Sequence, residues 1–438
     1  MTLLTVFFSL LIVILARMKI NIFSVPFIST AVWLLAVFIS DLGLVTYPWT
    51  ITYETVGLVI FSHVFLLLGF FLVASGRKPT IVVARPAMGS DLLLATALVF
   101  VVVQFGSTLL SGQIPILGTA GNLAQARELH WSDVDKPLIF QIAKLFSYPA
   151  IAFVILGPLL FLHHKRGKMA VAFITFFALI DHSFAEGGRS TLFFTGLGIA
   201  VCYFLTYRPG FGRWFLAGIL GLFLVYQLAS NFYLSRNPNF RSDPNFFIEY
   251  NCAKGQLPRH LTRLELEWKA AILSSCYASS PIRYLDDFVA LEWPKQFGAY
   301  NGGIVFQDNF AKQRESIALY YRAKGVGENP WATSMRDFWI DFGSLAFLAY
   351  LPLGALLGWF SRRSRLATES QVILRAMAVC AALLIPFISP LIIRPILFPI
   401  IVALILPLAC RVLLSIQGGG SLGTEDRKRG QRRARAAR

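Results

Sequence analysis

The sequence predicts an all-α protein, a polytopic bundle of transmembrane helices with one large loop outside. Of the 438 residues, 56% are hydrophobic and only 14% are charged, and the mean hydropathy is +0.63. Eleven apolar runs approach the roughly 20 residues that a helix needs to cross the hydrocarbon core of a bilayer. One long polar stretch, 234–335, interrupts these runs. We therefore expect the chemistry of the protein on or beside that stretch.

Eight predicted spans precede the polar stretch and three follow it. They are 2–20, 22–42, 51–74, 91–111, 138–162, 169–185, 190–207, 213–233, 337–360, 370–389 and 395–415. The chain divides accordingly into a bundle at 1–233, the outside stretch at 234–335, a second group of spans at 336–415, and a tail at 416–438. The first run lacks a basic segment before it and a small-residue cleavage site after it, so it is predicted to be a retained span.

Lys and Arg predict the orientation of the bundle. One alternate set of short loops carries fourteen of these residues and the other set carries four. Because short cytoplasmic loops are enriched in Lys and Arg, the N-terminus and 234–335 are predicted outside and the C-terminus in the cytoplasm. Seven basic residues near the C-terminus predict a disordered tail that attracts anionic lipid headgroups. The net charge of +17 then needs no nucleic-acid partner.

The polar stretch 234–335 has the composition of a folded cap. It holds twelve Lys and Arg against ten Asp and Glu, with sixteen aromatic residues, whereas disordered segments are poor in aromatics. Arg259 to Ala278 is predicted to form an amphipathic helix. Some of the aromatics could stack on sugar rings, although most are expected in the core. An oxidising compartment would let Cys252 pair with Cys276; two buried free thiols are the alternative.

The hairpin after the sixth predicted span is the first candidate site. Gly187 and Gly188 permit a tight turn, and Arg189 and Ser190 open the next span. A helix N-terminus attracts anions, and an arginine adds a fork of donors suited to phosphate oxygens. The alternative is that Arg189 anchors the helix end and pairs with Glu186.

A second candidate site lies at the start of the ninth predicted span. Ser334 and Asp337 have the spacing of a capping box. Asp337 and Asp341 are one turn apart and share a helix face, with Asp341 about 6–8 Å below the helix start. A carboxylate there is a candidate general base. The alternative is a salt bridge from Asp341 to Arg336 or Lys144.

Metal ions, cofactors and ion pumping have little support in the sequence. Asp133 and Asp135 have the Asp-x-Asp form that many metal-dependent sugar transferases use, but no other His, Cys or carboxylate cluster has ligand spacing. We expect neither a metal nor a cofactor. Charges inside the predicted spans are few: Lys144, Asp181, Asp341 and Arg375. An ion-coupled pump would usually show several at mid-membrane.

The order of these features resembles the O-antigen polymerase (oligosaccharide repeat-unit polymerase, Wzy-type) family of bacterial envelopes. Its motifs correspond here to residues 114–117, 186–191 and 333–343. The Gly-Gly-Arg-Ser at an outside helix start and the Asp-Phe-Gly after the large loop carry the resemblance. As architecture, the resemblance covers most of the chain.

The resemblance implies glycosyl transfer at the outer face of the cytoplasmic (inner) membrane. Donor and acceptor would both be oligosaccharides carried on undecaprenyl diphosphate, and a chain-length regulator is a possible partner. Arg189 matches the family's arginine, and Asp341 matches its Asp-Phe-Gly. Without a metal, arginines must stabilise the leaving diphosphate; Arg127 and Arg336 lie close enough in sequence to outside span ends to join Arg189 and Ser190. Asp341 is the preferred base and Glu186 the second choice.

Three other functions are compatible with the same spans, outside stretch and candidate residues. A ligase would transfer a lipid-carried glycan to a different acceptor. A flippase for lipid-linked sugars would be expected to have a charged central cavity and no loop of this size. A structural protein of the envelope would use the loop only as an interaction surface, because architecture alone does not fix function.

Overall fold

The computed structural model describes most of the predicted bundle and part of the cap. The described ranges are 1–22, 24–74, 88–111, 138–185, 190–207, 242–252, 254–291, 333–361, 369–387 and 393–418, with five further residues between 316 and 324. Within these ranges the chain forms helices and one isolated antiparallel bridge, Thr46 with Gln256. The all-α prediction is confirmed for the described part of the chain.

The helices are numbered in chain order. The first group is α1 (Thr2–Arg17), α2 (Val25–Asp41), α3 (Tyr53–Ala74), α4 (Met88–Ser111), α5 (Leu138–Ile155), α6 (Gly157–Leu162), α7 (Arg166–Ala185) and α8 (Ser190–Tyr207). The second group is α9 (Pro244–Asn251), α10 (Leu266–Ser279), α11 (Pro281–Val289), α12 (Thr333–Phe342), α13 (Tyr350–Ser361), α14 (Glu369–Leu384) and α15 (Arg394–Gly418). Two 3₁₀ segments, Arg259–Leu261 and Gly343–Ala349, precede α10 and α13.

Among the described residues, four helical stretches are long and apolar enough to cross a membrane. These are Tyr53–Ala74, Met88–Ser107, Thr333–Ser361 and Arg394–Leu413. Shorter apolar helices are Thr2–Arg17, Val25–Asp41, Gln141–Ile155 and Thr191–Tyr207. The helices are therefore compatible with a membrane protein, and the larger count of eleven spans stays a prediction. The eighth predicted span, 213–233, lies outside the described residues.

Several helix boundaries differ from those expected. The fifth predicted span divides into α5 and α6, since Pro158 occupies the first turn of a new helix there and lacks the N–H that a continuous helix would use. The cap helix expected from Arg259 begins only at Leu266, after the 3₁₀ turn. The predicted tail starts inside a helix, because α15 continues to Gly418; residues 419–438 lie outside the described part.

Glycines bring α3 and α13 into backbone contact. A Cβ built on Gly354 would lie 2.0 Å from the Leu66 carbonyl oxygen, and one on Gly69 would lie 2.0 Å from that of Leu351. A Cβ on Gly358 would lie 2.7 Å from the Phe70 oxygen. Gly354 and Gly358 are four residues apart, the small-residue spacing that lets membrane helices approach closely. This contact fixes the helix that follows α12 against α3.

A small helical cap surrounds a disulfide between α9 and α10. Cys252 and Cys276 are joined, with their Cα atoms 5.2 Å apart, so the pairing alternative left open by the sequence is the one observed. The bond lies in an apolar cluster that includes Ile248 of α9 and Leu273 of α10. Val45, from the loop between α2 and α3, belongs to the same cluster. The cap is therefore attached to the bundle through that loop.

Removing the disulfide is expected to loosen the cap while the bundle stays folded. The bond spans 24 residues, and closing a loop of that size stabilises a fold by about 3 kcal/mol. Replacing both cysteines with serine should therefore speed proteolytic cleavage within 242–291 in the purified protein. Cys410→Ser, at a free cysteine of α15, is the control and should leave cleavage unchanged. Equal cleavage rates in all three proteins would contradict a stabilising role for the bond.

Several polar contacts between distant helices lie at helix ends, in two sets, whereas the contact of Thr30 with His63 lies within α2 and α3. One set joins the start of α1 to the end of α2, the loop before α3 to α11, the later part of α4 to the end of α7, and the start of α12 to the end of α14. The other joins the starts of α4, α7 and α14. There Lys168 lies 2.7 Å from Asp91, and the Ser90 N–H donates to Glu369. Segments that the charge pattern predicts on one side thus contact each other.

Candidate functional site

Helix α12 is short, polar and almost wholly buried. Eight of its residues are buried, including Arg336 at 8% exposure and Asp337 and Asp341 at 0%. It packs against cap helix α11 and continues into the 3₁₀ segment before α13. Because a buried charge is costly unless it is paired, three ionisable residues within ten mark this helix as the centre of the candidate site.

Arg336 forms an ion pair with its neighbour Asp337. Its Nη2 lies 2.7 Å and its Nε 2.9 Å from the same carboxylate oxygen, Oδ1. The guanidinium carbon is 5.6 Å from the centre of the Phe288 ring on α11, within reach of a cation–π contact. The sequence allows Arg336 as a partner of Asp341; in the structure Arg336 pairs with Asp337. The pair fixes the guanidinium against the cap.

Ser334 connects three elements instead of capping α12. The helix begins one residue earlier, at Thr333, so the predicted capping box is wrong. The Ser334 hydroxyl donates to the Ile385 carbonyl at the end of α14, 2.9 Å away, and its N–H points to the same oxygen. A hydroxyl carries one proton, so the Tyr350 hydroxyl donates to Ser334. The open carbonyl at the end of α14 outcompetes the local cap.

Asp341 lies at the C-terminal end of α12, next to a break in the helix. It is eight residues beyond the helix start, which places it about 12 Å along the axis. This distance is longer than the 6–8 Å expected, because the helix begins at Thr333 and not at Asp337. Two residues later Gly343 has φ +57°, a left-handed conformation that favours glycine, and the 3₁₀ segment begins there. The glycine of the Asp-Phe-Gly motif therefore has a conformational reason, and it ends the helix just after the buried carboxylate.

A second buried polar group joins α4 to α7. The Gln104 side-chain nitrogen donates to Asp181 Oδ2 at 2.9 Å, and its oxygen lies 3.0 Å from His182 Nδ1. Because the Gln104 oxygen can only accept, His182 donates through Nδ1. All three residues are at most 3% exposed. The sequence had indicated Asp181 as a buried charge, but only the folded chain shows Gln104 as its partner.

The other predicted site residues are only partly placed. Arg127, Glu186 and Arg189 lie outside the described residues, and Ser190 is the first residue of α8. Asp133 and Asp135 also lie outside them. Within the described part, no group of three His, Cys, Asp or Glu residues is arranged to hold a metal ion. Binding of a diphosphate by Arg127, Arg189, Ser190 and Arg336 therefore stays a prediction.

Cap helix α11 carries polar residues that the sequence analysis missed. Asp286 accepts from the Thr52 N–H at 2.9 Å and from its hydroxyl at 2.6 Å, just before α3 begins. Arg283 donates from Nη1 to the Trp49 carbonyl, 2.7 Å away. The spacing in the sequence could have indicated these two residues, since 283 and 286 are one helical turn apart after Pro281 and share a helix face. Their partners, however, are more than 200 positions distant.

Chemically, the arrangement offers one arginine and two carboxylates in a buried site between a cap and a helical bundle. Such a site can stabilise developing negative charge and accept a proton. No family model, curated protein or solved structure matches the chain.

Proposed function

We propose that this chain is a glycosyltransferase that joins lipid-linked oligosaccharide repeat units into a surface polysaccharide, as O-antigen polymerases do. The observation that carries the proposal is helix α12. It holds the buried Arg336–Asp337 pair and the buried Asp341 directly against the disulfide-linked cap. The Asp-Phe-Gly motif, on which the sequence resemblance depends, lies at its end.

The proposal includes an eleven-span topology in a bacterial cytoplasmic membrane, with the N-terminus outside and the C-terminus inside. Two observations support it. The two sets of helix-end contacts join segments predicted to share a side. The Cys252–Cys276 disulfide fits an oxidising compartment, as expected for a cap outside the cytoplasm.

In the proposed reaction, an acceptor sugar hydroxyl attacks the anomeric carbon of the donor glycan. The new glycosidic bond forms as the bond from that carbon to the diphosphate oxygen breaks, and undecaprenyl diphosphate leaves. Arg189, Arg127 and Arg336, with Ser190, bind the diphosphate and stabilise its developing charge. Asp341 takes the hydroxyl proton, and Glu186 is the second choice for this role.

Deletion of the gene in its native host tests the function. Loss of a polymerase should leave single repeat units on the final acceptor, because export and ligation continue. Loss of a ligase or a flippase should leave no glycan on the acceptor. The measurement is glycan length on a gel, with the plasmid-borne wild-type chain restoring the ladder. A full ladder in the deletion strain would refute the proposal.

Reporter fusions test the topology. A reporter active only in the cytoplasm, fused after residue 300, should be silent because the cap lies outside. The same reporter fused after residue 438 should be active. Fusion-protein abundance is the control for expression. The opposite pattern would overturn the orientation and the outside site.

Arg189 is expected to need its guanidinium. If it holds a diphosphate, Arg189→Lys should lose polymer nearly as completely as Arg189→Ala, since an ammonium group cannot reproduce the two-pronged donor geometry. If it only anchors a helix end, lysine should restore full function. Glycan length, measured at equal protein abundance, distinguishes the two roles, and a full ladder with lysine would discard the phosphate role.

A further inference from the structure

The contact between the cap and the loop before α3 contains a group of aromatic and basic side chains that the proposed reaction does not use. We name Tyr47, Trp49, Lys254 and Arg283 the aromatic seam. Arg283 lies over the Tyr47 ring with its guanidinium carbon 4.5 Å from the ring centre. Lys254 Nζ lies 5.9 Å from the Trp49 ring centre. Both rings are half-buried, so the seam reaches the protein surface.

Two N–H donors in the seam have no acceptor in the described structure. Arg283 Nε and Trp49 Nε1 are both buried and lack a hydrogen-bond partner there. Arg283 as a whole residue is only 9% exposed. Leaving a buried donor unsatisfied costs about 1–3 kcal/mol, and native proteins rarely do so. The two donors belong to residues that are hydrogen-bonded to each other, from Arg283 Nη1 to the Trp49 carbonyl. Two unsatisfied donors in one place point to an external acceptor.

The charges around the seam favour a neutral acceptor over a phosphate. Asp286 and Asp287 follow Arg283 on the same helix. Burial raises the pKa of Asp287, with Lys254 opposing and Asp286 adding to the rise. Burial likewise lowers the pKa of the Arg283 guanidinium. A sugar ring offers hydroxyl oxygens to the two donors, a hydroxyl proton to Asp287, and a C–H face to an aromatic ring.

Helix α11 connects the seam with the candidate site. Arg283 lies near its start, and Phe288, which contacts Arg336, lies five residues later. This separation is about 7.5 Å along the helix axis. A short oligosaccharide is long enough to cover this distance. Because residues five apart lie about 140° apart around a helix axis, the glycan would pass around α11 from the seam to α12.

We propose that the aromatic seam is a saccharide subsite that binds the glycan a short distance from its reacting end. The inference rests on the proposed function, since it extends the same substrate away from α12. Both donor atoms are covered in the structure, so a sugar reaches them only if side chains of the seam move. Trp49 lies in a loop rather than a helix, which allows that motion.

Trp49→Phe separates binding from folding. Phenylalanine keeps an aromatic ring and removes an N–H that has no acceptor within the described protein, so the melting temperature should not fall. The affinity for sugar should fall about fivefold, the effect of one hydrogen bond. Trp268→Phe is the matched control, because Trp268 is an exposed tryptophan of the cap, on α10. It should change neither quantity.

The probe is the delipidated repeat-unit oligosaccharide, released by mild acid from the host's lipid-linked pool. Binding to the purified full-length chain in detergent is measured by calorimetry, with inorganic phosphate as a competitor. Weaker binding by Trp49→Phe alone supports the subsite. Equal affinity in all three proteins, no binding by the wild type, or displacement by phosphate would overturn it. The gene deletion tests the proposed function separately, because it reads glycan length and not affinity.

Discussion

Replacing Gly354 with alanine is expected to abolish accumulation of the protein in the membrane. The added Cβ would lie 2.0 Å from the Leu66 carbonyl oxygen and 2.8 Å from its carbon, far inside van der Waals contact. Both are backbone atoms, so α3 and α13 must move apart, and no side-chain rotation can relieve the overlap. Overpacking a well-packed core costs about 1–3 kcal/mol, and separating two helices along their glycine contact should cost at least the upper value.

Gly57→Ala is the matched control for this prediction. Gly57 also lies in α3, but no atom is found within 4 Å of its added Cβ. Alanine there should leave stability unchanged or raise it by about 0.5–1 kcal/mol through helix propensity. The measurements are membrane abundance and melting temperature in detergent. Normal values for Gly354→Ala would contradict the close packing of α3 against α13.

Hydrophobic run length predicted the single helices well, because each run is a local property. The run 51–74 became Tyr53–Ala74, and 190–207 became Ser190–Tyr207. Breaks within a run were missed, since they depend on one or two residues. Gly343 divides the ninth predicted span without lowering its hydropathy, and its positive φ is visible only in the folded chain.

Polar partners were the part of the site that sequence could not supply. Asp181 was recognisable as a costly charge within a span, yet its partner Gln104 lies 77 positions away. Ser334 had the spacing of a local cap, but its hydroxyl donates to the carbonyl of Ile385, 51 positions away. Local spacing lists the bonds that a side chain could form. Tertiary packing decides which of them forms.

The Arg336–Asp337 pair changes how Asp341 must be tested. A loss of activity at Asp341 has two possible sources, lost proton transfer or a damaged α12, and both carboxylates are fully buried on that helix. Asp337→Asn serves as the structural comparison, because it removes the observed partner of Arg336, a residue that is only 8% exposed. Breaking a buried ion pair from one side costs about 3–5 kcal/mol. The abundance of the Asp337→Asn protein should therefore fall, and adding Arg336→Gln should restore it.

Asp341→Asn is expected to shorten the glycan drastically while the protein stays at normal abundance. Asparagine keeps the size and much of the hydrogen bonding of the side chain but cannot accept a proton. A general base typically contributes about 10²- to 10⁴-fold to the rate, enough to reduce a long ladder to single repeats. Abundance by immunoblot and glycan length by gel, measured on the same cells, separate this result from the Asp337 pattern. Normal-length polymer from Asp341→Asn would transfer the proposed base to Glu186, whereas a fall in abundance would assign Asp341 to the support of α12.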